Sequence, residues 1–205
     1  MPRQNRVTPD GRIVADPARG LFMGNRGILH DRDGRLGRAL WRHKAWICCA
    51  LSFRGRRLAL AAPGHYTQLF FLDEAVALAA GHRPCAECRR ADYHRFRDAW
   101  GAAGLGLAAR APEIDAVLHR HRVTAKTRRQ ATHLADIAGL PDGCFIRHGT
   151  RPALVLGSGL LPFSMSGYLP PRPRPEAGGV TVLTPAPLVA VLAAGYRPQL
   201  HASAG

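Results

Sequence analysis

Short apolar segments alternate with turn residues over roughly the first 40 residues of the chain. Apolar residues occur at 13–14, 21–23 and 28–29, and glycine, aspartate and arginine separate them. This alternation is typical of short strands joined by loops. We therefore treat residues 1–44 as a Gly/Arg-rich N-terminal segment.

Three strands are predicted in the next part of the chain. The apolar run 45–51 predicts a buried strand, and Gly55 can turn the chain so that 57–60 pairs with it as a hairpin. The aromatic-rich segment 66–72 predicts a third strand.

Three helices are predicted after these strands. Asp73 can cap a helix over 74–80, and Gly81 suits the C-terminal end of that helix. A second helix is expected over 89–100. A third begins with a proline in its first turn and continues as a basic helical stretch, over 112–137 in all.

The second helix carries an aromatic stripe. Tyr93, Phe96 and Trp100 recur at helical spacing and therefore share one face. Such a stripe packs into a hydrophobic core more often than it stacks on nucleic-acid bases, so we assign it to the core.

Strands dominate the pattern beyond residue 138. Segments 144–146 and 153–156 predict two strands around a glycine turn, and 180–183 predicts a third. A short helix is expected over 187–194.

These elements predict an α+β fold with three regions, namely the N-terminal segment 1–44, a helical region 45–138 and a β-rich C-terminal region 139–205. The chain has 205 residues, of which 46% are apolar, so we expect a packed core rather than global disorder. No apolar run approaches the roughly 18 residues that a membrane span needs, and the first residues show no signal-peptide pattern. We expect a cytoplasmic protein without a membrane partner.

Basic residues outnumber acidic residues twofold. The chain has 29 lysines and arginines against 14 aspartates and glutamates, a formal net charge of +15. Acid-free stretches at 34–72 and around 120–129 concentrate this charge, which attracts phosphate backbones largely without regard to sequence. We therefore expect a nucleic-acid partner, DNA or RNA. The candidate phosphate contacts are Arg54, Arg56, Arg57, Arg120, Arg122, Arg128 and Arg129.

The cysteines indicate a metal site. Five cysteines is an odd number, and four of them lie in two groups, which suits metal ligation better than a disulfide framework. The turn of the Cys85-x-x-Cys88 motif can direct both sulfurs to one tetrahedral zinc, with backbone N–H groups facing the thiolates. A helix rather than a strand is predicted before the motif, which disfavours a thioredoxin-like redox pair.

Cys48 and Cys49, on the predicted strand, are candidates for the third ligand. Adjacent residues of a strand face opposite sides, so one of the two is expected to reach the metal. The fourth ligand stays open among Cys48, His65, His82, His94 and Cys144. A filled fourth position would make the metal structural, and an open one would make it catalytic.

The segment that leads into the cysteine motif also carries a family resemblance. Residues 70–88 combine a strand, a helix ending in Ala-Ala-Gly, and Arg-Pro-Cys-x-x-Cys. They resemble the zinc-binding domain of the Ada methylation-repair family, over 46–90 at most. The resemblance implies four cysteinates around zinc, with Cys85 and Cys88 as the second pair. It also implies that Cys48 or Cys49 belongs to the first pair and accepts a methyl group from a DNA phosphotriester.

Two enzyme classes fit parts of the same residues. A zinc deaminase needs an upstream His-x-Glu or Cys-x-Glu, and neither occurs here at the required spacing. A metal-dependent nuclease could use Asp115, His119 and His121, but residues two apart on a helix face different sides.

The sequence thus favours a zinc-binding, nucleic-acid-associated protein whose zinc is mainly structural. The first alternative is a zinc-thiolate alkyl acceptor or another nucleic-acid-processing zinc enzyme. The second is a protein-interaction module or a small-molecule enzyme.

Overall fold

The computed structural model describes residues 1–55 and 59–205, and within them the chain forms four α-helices and two β-sheets. The predicted α+β class with a β-rich C-terminal part is confirmed. None of the helices in this part of the chain is long and apolar enough to cross a membrane.

The first sheet is built from the N-terminal half of the chain. Its strands are β1 (Gln4–Val7), β2 (Ile13–Ala15), β3 (Phe22–Asn25), β4 (Ile47–Ala50), β5 (Leu69–Phe71) and β6 (Arg83–Pro84). Their order is β2-β1-β5-β3-β4-β6; β1 is parallel to β5, β4 is parallel to β6, and the other pairs are antiparallel. The strands predicted at 45–51 and 66–72 are present as β4 and β5.

The neighbours of β4 differ from the predicted hairpin. Of the segment 57–60, Arg57 and Leu58 lie outside the described residues, and Ala59 and Leu60 form no strand. β4 pairs with β3 along one edge and with β6 along the other. The N-terminal segment, through β3, therefore supplies the antiparallel neighbour that was expected from 57–60.

The second sheet belongs to the C-terminal part of the chain and is antiparallel throughout. Its strands are β7 (His133–Asp136), β8 (Phe145–His148), β9 (Arg151–Leu156), β10 (Gly159–Ser164), β11 (Gly167–Tyr168), β12 (Arg172–Pro173) and β13 (Gly179–Val182). The order is β11-β10-β9-β8-β13-β7, and β12 pairs with β10. The three strands predicted beyond residue 138 are confirmed as β8, β9 and β13.

The helices are α1 (Glu74–Ala79), α2 (Arg90–Ala102), α3 (Ala111–Arg122) and α4 (Ala186–Ala193). Asp73 caps α1 as predicted, because its Oδ1 accepts a 3.0 Å hydrogen bond from the Val76 N–H. Gly81 follows with a φ of +83°, the left-handed conformation that ends many helices.

The third helix is shorter than predicted. It ends at Arg122, and the basic helical stretch expected as far as residue 137 is wrong. Val123 takes an extended conformation, and the Thr124 N–H donates to the Arg129 carbonyl across a tight turn. β-Branched residues at this point favour extended backbone, and the chain returns to form β7.

Two hydrophobic clusters lie on opposite faces of the second sheet. Ile146 and Val155 pack with α2, α3 and α4, whereas Phe145 and Leu154 pack with α1 and the first sheet. Adjacent strand residues face opposite sides, so β8 and β9 are buried on both faces. Burying each such large side chain contributes about 1.5–3 kcal/mol.

The aromatic stripe of α2 is confirmed as core. Tyr93, Phe96 and Trp100 are all buried in the cluster that α2 shares with the second sheet. The two clusters and the first sheet combine residues from all three sequence regions. The boundaries after residues 44 and 138 stay a prediction.

Candidate metal centre and basic cleft

Three cysteines converge at one edge of the first sheet. The Sγ atoms of Cys49, Cys85 and Cys88 all lie within 4.8 Å of one another, and the group could hold a metal ion. Cys49 lies on β4, Cys85 directly follows β6, and Cys88 precedes α2. Because β4 and β6 are parallel neighbours with Cys48 opposite Pro84, the next residues, Cys49 and Cys85, come side by side.

Cys48 lies on the other face of β4. Its side chain is fully buried, and its Sγ accepts a 3.4 Å hydrogen bond from Nη1 of Arg89. Burial raises the pKa of the Cys48 thiol well above its ordinary value. Of the two adjacent cysteines, Cys49 therefore joins the cluster and Cys48 packs in the core, as the alternation of a strand requires.

Backbone N–H groups face the sulfurs of the cluster. The N–H groups of Glu87 and Cys88 bond to the Cys85 sulfur, and the N–H of Ala50 bonds to the Cys88 sulfur. Hydrogen bonds of this kind stabilise thiolates, the form in which cysteine binds a metal. The turn thus has the donors that a metal-binding cysteine motif requires.

The three thiols also form hydrogen bonds with one another. Hydrogen bonds from Cys49 and Cys88 lower the pKa of Cys85 to about 2, and contact with Cys85 and Cys88 raises the pKa of Cys49. Neighbouring thiolates repel one another, so ionisation of one thiol makes ionisation of the next less favourable. A bound cation would replace the shared protons and hold all three as thiolates.

The other candidate ligands lie elsewhere. Cys144 is buried in the core cluster of α2, and the His82 ring lies 4.6 Å from the Phe71 ring centroid. The Nδ1 of His65 faces the Pro63 carbonyl at 3.1 Å, and the His94 ring lies 6.2 Å from that of Tyr93. Within residues 1–55 and 59–205, the metal-binding group contains three cysteines and no fourth ligand.

The residues of the nuclease hypothesis do not converge. Asp115 forms a buried ion pair with Arg83, with N···O distances of 2.9 and 2.7 Å. His119 packs edge-on against Trp41 at 4.4 Å, and His121 is exposed. Among the described residues these three form no metal-binding group.

Most of the predicted phosphate contacts that the structure describes are exposed. Arg54, Arg120, Arg128 and Arg129 are on the surface. Arg56 and Arg57 lie outside the described residues.

Arg122 is a correction to this set, because it is 1% exposed. Its guanidinium donates to the carbonyls of Gly81 and Lys44 and lies 4.1 Å from the Trp46 ring centroid. Arg122 is four residues beyond the buried Leu118, so both residues face the interior side of α3. It therefore stabilises the fold instead of lining the surface.

A basic cleft lies between the N-terminal strands and the turn that follows α3. It encloses about 580 Å³ and is lined in part by Trp41 and Trp46. Among the described lining residues, six are arginines and one, Asp10, is acidic. We call it the arginine cleft, and its arginines are Arg12, Arg26, Arg38, Arg128, Arg129 and Arg147.

Sequence reasoning found only two of these six arginines, Arg128 and Arg129. Arg12, Arg26 and Arg38 are scattered through the N-terminal segment, and Arg147 lies on β8. Their shared location depends on how the two sheets and the turn after α3 pack. No local pattern in the sequence could have shown it.

Comparisons of this chain with protein-family models, with curated proteins and with solved structures found no match. The functional interpretation therefore rests on the cysteine cluster and on the distribution of charge.

Proposed function

We propose that this chain is a zinc-binding, nucleic-acid-associated protein in which zinc is mainly structural. The observation that carries the proposal is the presence, in one small fold, of a three-cysteine cluster and a strongly basic surface.

Zinc suits the donor set. Sulfur ligands in a tetrahedral arrangement select zinc among common divalent ions, and zinc brings no redox chemistry of its own. Cys49, Cys85 and Cys88 would hold it, since their sulfurs already converge. The turn supplies N–H groups to the Cys85 sulfur, and Ala50 of β4 supplies one to the Cys88 sulfur. Among the described residues no fourth protein ligand is present, so water or an external ligand would complete the tetrahedron. Ligand number alone would suit a catalytic metal, and the structural role rests instead on the elements that the three cysteines connect.

A structural role follows from what the three cysteines connect. Cys49 belongs to β4, while Cys85 and Cys88 form the connection between β6 and α2. β6 has two residues, so its pairing with β4 is short. A metal bound to all three sulfurs would join the sheet to α2, whose aromatic face forms much of the core.

The nucleic-acid partner is supported by exposed, unpaired arginines. Arg120, Arg128 and Arg129 are exposed, and no ion pair involving them is present in the described part of the chain. The chain as a whole carries a formal charge of +15. Such a surface attracts phosphate backbones with an affinity that falls as salt rises.

A zinc-thiolate alkyl acceptor is the second candidate, favoured by the partial exposure of Cys49 and Cys88. The resemblance of residues 70–88 to the Ada family supports the same chemistry. In that reaction the zinc-bound Cys49 thiolate would attack the methyl carbon of a phosphotriester. The C–O bond would break, the methyl thioether would form, and a phosphodiester anion would leave.

Salt-dependent binding tests the nucleic-acid part of the proposal. We expect the metal-loaded protein to bind short DNA or RNA strands, with log affinity falling linearly with log salt. The double variant Arg128→Gln/Arg129→Gln should reduce the magnitude of that slope by about 2, about 1 for each lost phosphate contact. The double variant Arg151→Gln/Arg172→Gln removes the same charge outside the arginine cleft and should leave the slope unchanged.

A charged surface binds the phosphate backbones of both DNA and RNA. The proposal therefore allows the two to differ in affinity but not in whether they bind. Absence of binding to either at low salt would contradict it. An equal reduction of the salt-dependence slope in the two double variants would also contradict it. Binding would then depend on net charge and not on the arginines of one surface.

A further inference from the structure

The arginine cleft contains positive charge that the described residues do not neutralise. Arg26 is 3% exposed, yet its guanidinium faces the carbonyls of Gly11 and Ala80, at 3.1 and 3.3 Å, and Nε2 of His82 at 3.4 Å. None of these three partners is negatively charged. In the described structure Arg26 takes part in no ion pair.

A second buried guanidinium contacts the same tryptophan ring. Arg26 and Arg122 both lie over the Trp46 ring, with their Cζ atoms 4.2 and 4.1 Å from its centroid. Arg122 donates to two neutral carbonyls and faces Nδ1 of His119 at 3.3 Å, and none of these partners is a carboxylate. Burying a guanidinium without a carboxylate is costly, and burial lowers the pKa of Arg26 to about 9. An anion in the cleft would offset that cost.

The rim of the cleft adds further arginines. Arg38, Arg128, Arg129 and Arg147 are exposed and line the same space. The acidic residue among the described lining, Asp10, is already held by Arg12 at 2.9 Å and by the Thr8 hydroxyl at 2.5 Å. The remaining arginines are therefore available to a ligand that brings its own negative charge.

The cleft also offers an aromatic wall. Trp41 lines it and is only partly buried. The Arg128 guanidinium lies 4.1 Å from the Trp41 ring centroid. Planar bases stack on tryptophan rings and on guanidinium planes. The volume of about 580 Å³ falls within the range of about 300–1,000 Å³ typical of small-molecule pockets.

We propose that the arginine cleft binds a nucleoside phosphate, with the phosphate held by the cleft arginines and the base stacked against Trp41. This inference rests on the proposed function, since the nucleotide is either free or the terminal unit of a nucleic-acid strand. It adds a defined pocket to a surface that would otherwise bind backbone phosphates alone.

Calorimetric titration of the metal-loaded wild-type protein tests the pocket directly. The ligands are AMP, adenosine and inorganic phosphate. AMP should bind about tenfold or more tightly than either of the others, because it alone offers both charge and a base. AMP that binds no more tightly than inorganic phosphate would overturn the assignment to a nucleotide.

Variants locate the site. Arg38→Gln/Arg147→Gln should weaken AMP binding about tenfold or more. The matched control Arg151→Gln/Arg172→Gln, outside the cleft, should change it by less than about twofold. Trp41→Leu should remove the preference for AMP over phosphate. Equal effects of the two arginine pairs would refute the cleft as the site, and thermal unfolding verifies that each variant is folded.

Competition with an oligonucleotide distinguishes the two sources of the nucleotide. A 5′-phosphorylated oligonucleotide that displaces AMP assigns the cleft to a strand end, and one that does not displace AMP assigns it to a free nucleotide. If strands bind but AMP does not, the pocket is refuted while the proposed function stands. If AMP binds but strands do not, the proposed function fails and the pocket stands.

Discussion

The backbone N–H of Cys85 donates a 3.0 Å hydrogen bond to the carbonyl oxygen of Cys48. This bond continues the parallel pairing of β4 with β6 by one residue and places Cys85 beside Cys49. Cys48, whose carbonyl fixes the register, has its own thiol on the opposite face of the strand. The geometry of the metal centre therefore depends on a long-range strand pairing as well as on the local cysteine motif.

The buried carboxylate of Glu74 should be important for stability. It lies 2.9 Å from Arg89, accepts a 2.6 Å hydrogen bond from the Tyr196 hydroxyl and accepts another from the Gln199 N–H. Glu74→Gln would leave Arg89 buried with less compensation, and we expect unfolding free energy to fall by about 3 kcal/mol. Urea unfolding measures this loss.

The control for Glu74 is an exposed ion pair. Glu113 pairs with Arg110 at 2.9 Å on the surface of α3. Glu113→Gln should therefore have little measurable effect, since solvent screens the pair. Equal destabilisation by the two substitutions would contradict the importance assigned to the Glu74 network.

His82 should make the protein less stable in acid. It is fully buried, and burial, followed by the charges of Arg26 and Arg122, holds its pKa well below the ordinary value. The unfolded chain binds a proton at His82 below about pH 6.5 while the folded chain does not. Unfolding free energy should therefore fall by about 1.4 kcal/mol for each pH unit below that value.

A non-titrating variant isolates this contribution. Urea unfolding of wild type and of His82→Gln, followed as pH is lowered from neutrality, should show a shallower loss in the variant. Thiolate protonation at the metal centre affects both proteins alike and drops out of the difference. Identical pH dependence of the two proteins would contradict the assignment.

Gly81 should tolerate a side chain poorly. Its φ is +83°, and a Cβ there would come within 2.7 and 3.0 Å of the Arg122 side chain. Gly104 also has a positive φ, +72°, but nothing lies within 4 Å of its Cβ position. Gly104→Ala should cost about 1–2 kcal/mol from backbone strain alone, and Gly81→Ala should cost more. Thermal unfolding measures the stability loss of both variants. Equal losses would show that the Arg122 side chain moves aside at no energetic cost.

The sequence predicted the elements around the metal centre well. The cap at Asp73, the end of α1 at Gly81 and the aromatic core face of α2 all follow from local rules of capping and periodicity. The closeness of Cys85 and Cys88 follows from their spacing. The choice between Cys48 and Cys49 could not be made, because alternation separates two adjacent residues without saying which one faces the metal.

Charge alone was a weaker guide than periodicity. Arg120 and Arg122 lie in the same basic stretch, yet one is exposed and the other is buried over Trp46. The extent of α3 was overestimated because the turn after Val123 depends on pairing with Gln130, a contact outside a helical pattern. The arginine cleft combines residues from distant segments, which no local analysis brings together.

The most direct test of the account is elemental analysis of purified wild type, Cys49→Ser and Cys48→Ser. We predict one zinc per chain in wild type, loss of stoichiometric zinc in Cys49→Ser, and retention in Cys48→Ser with reduced thermal stability. Retention of full zinc by Cys49→Ser together with its loss from Cys48→Ser would contradict the three-cysteine centre. Absence of zinc from folded wild type under reducing conditions would contradict the central claim itself.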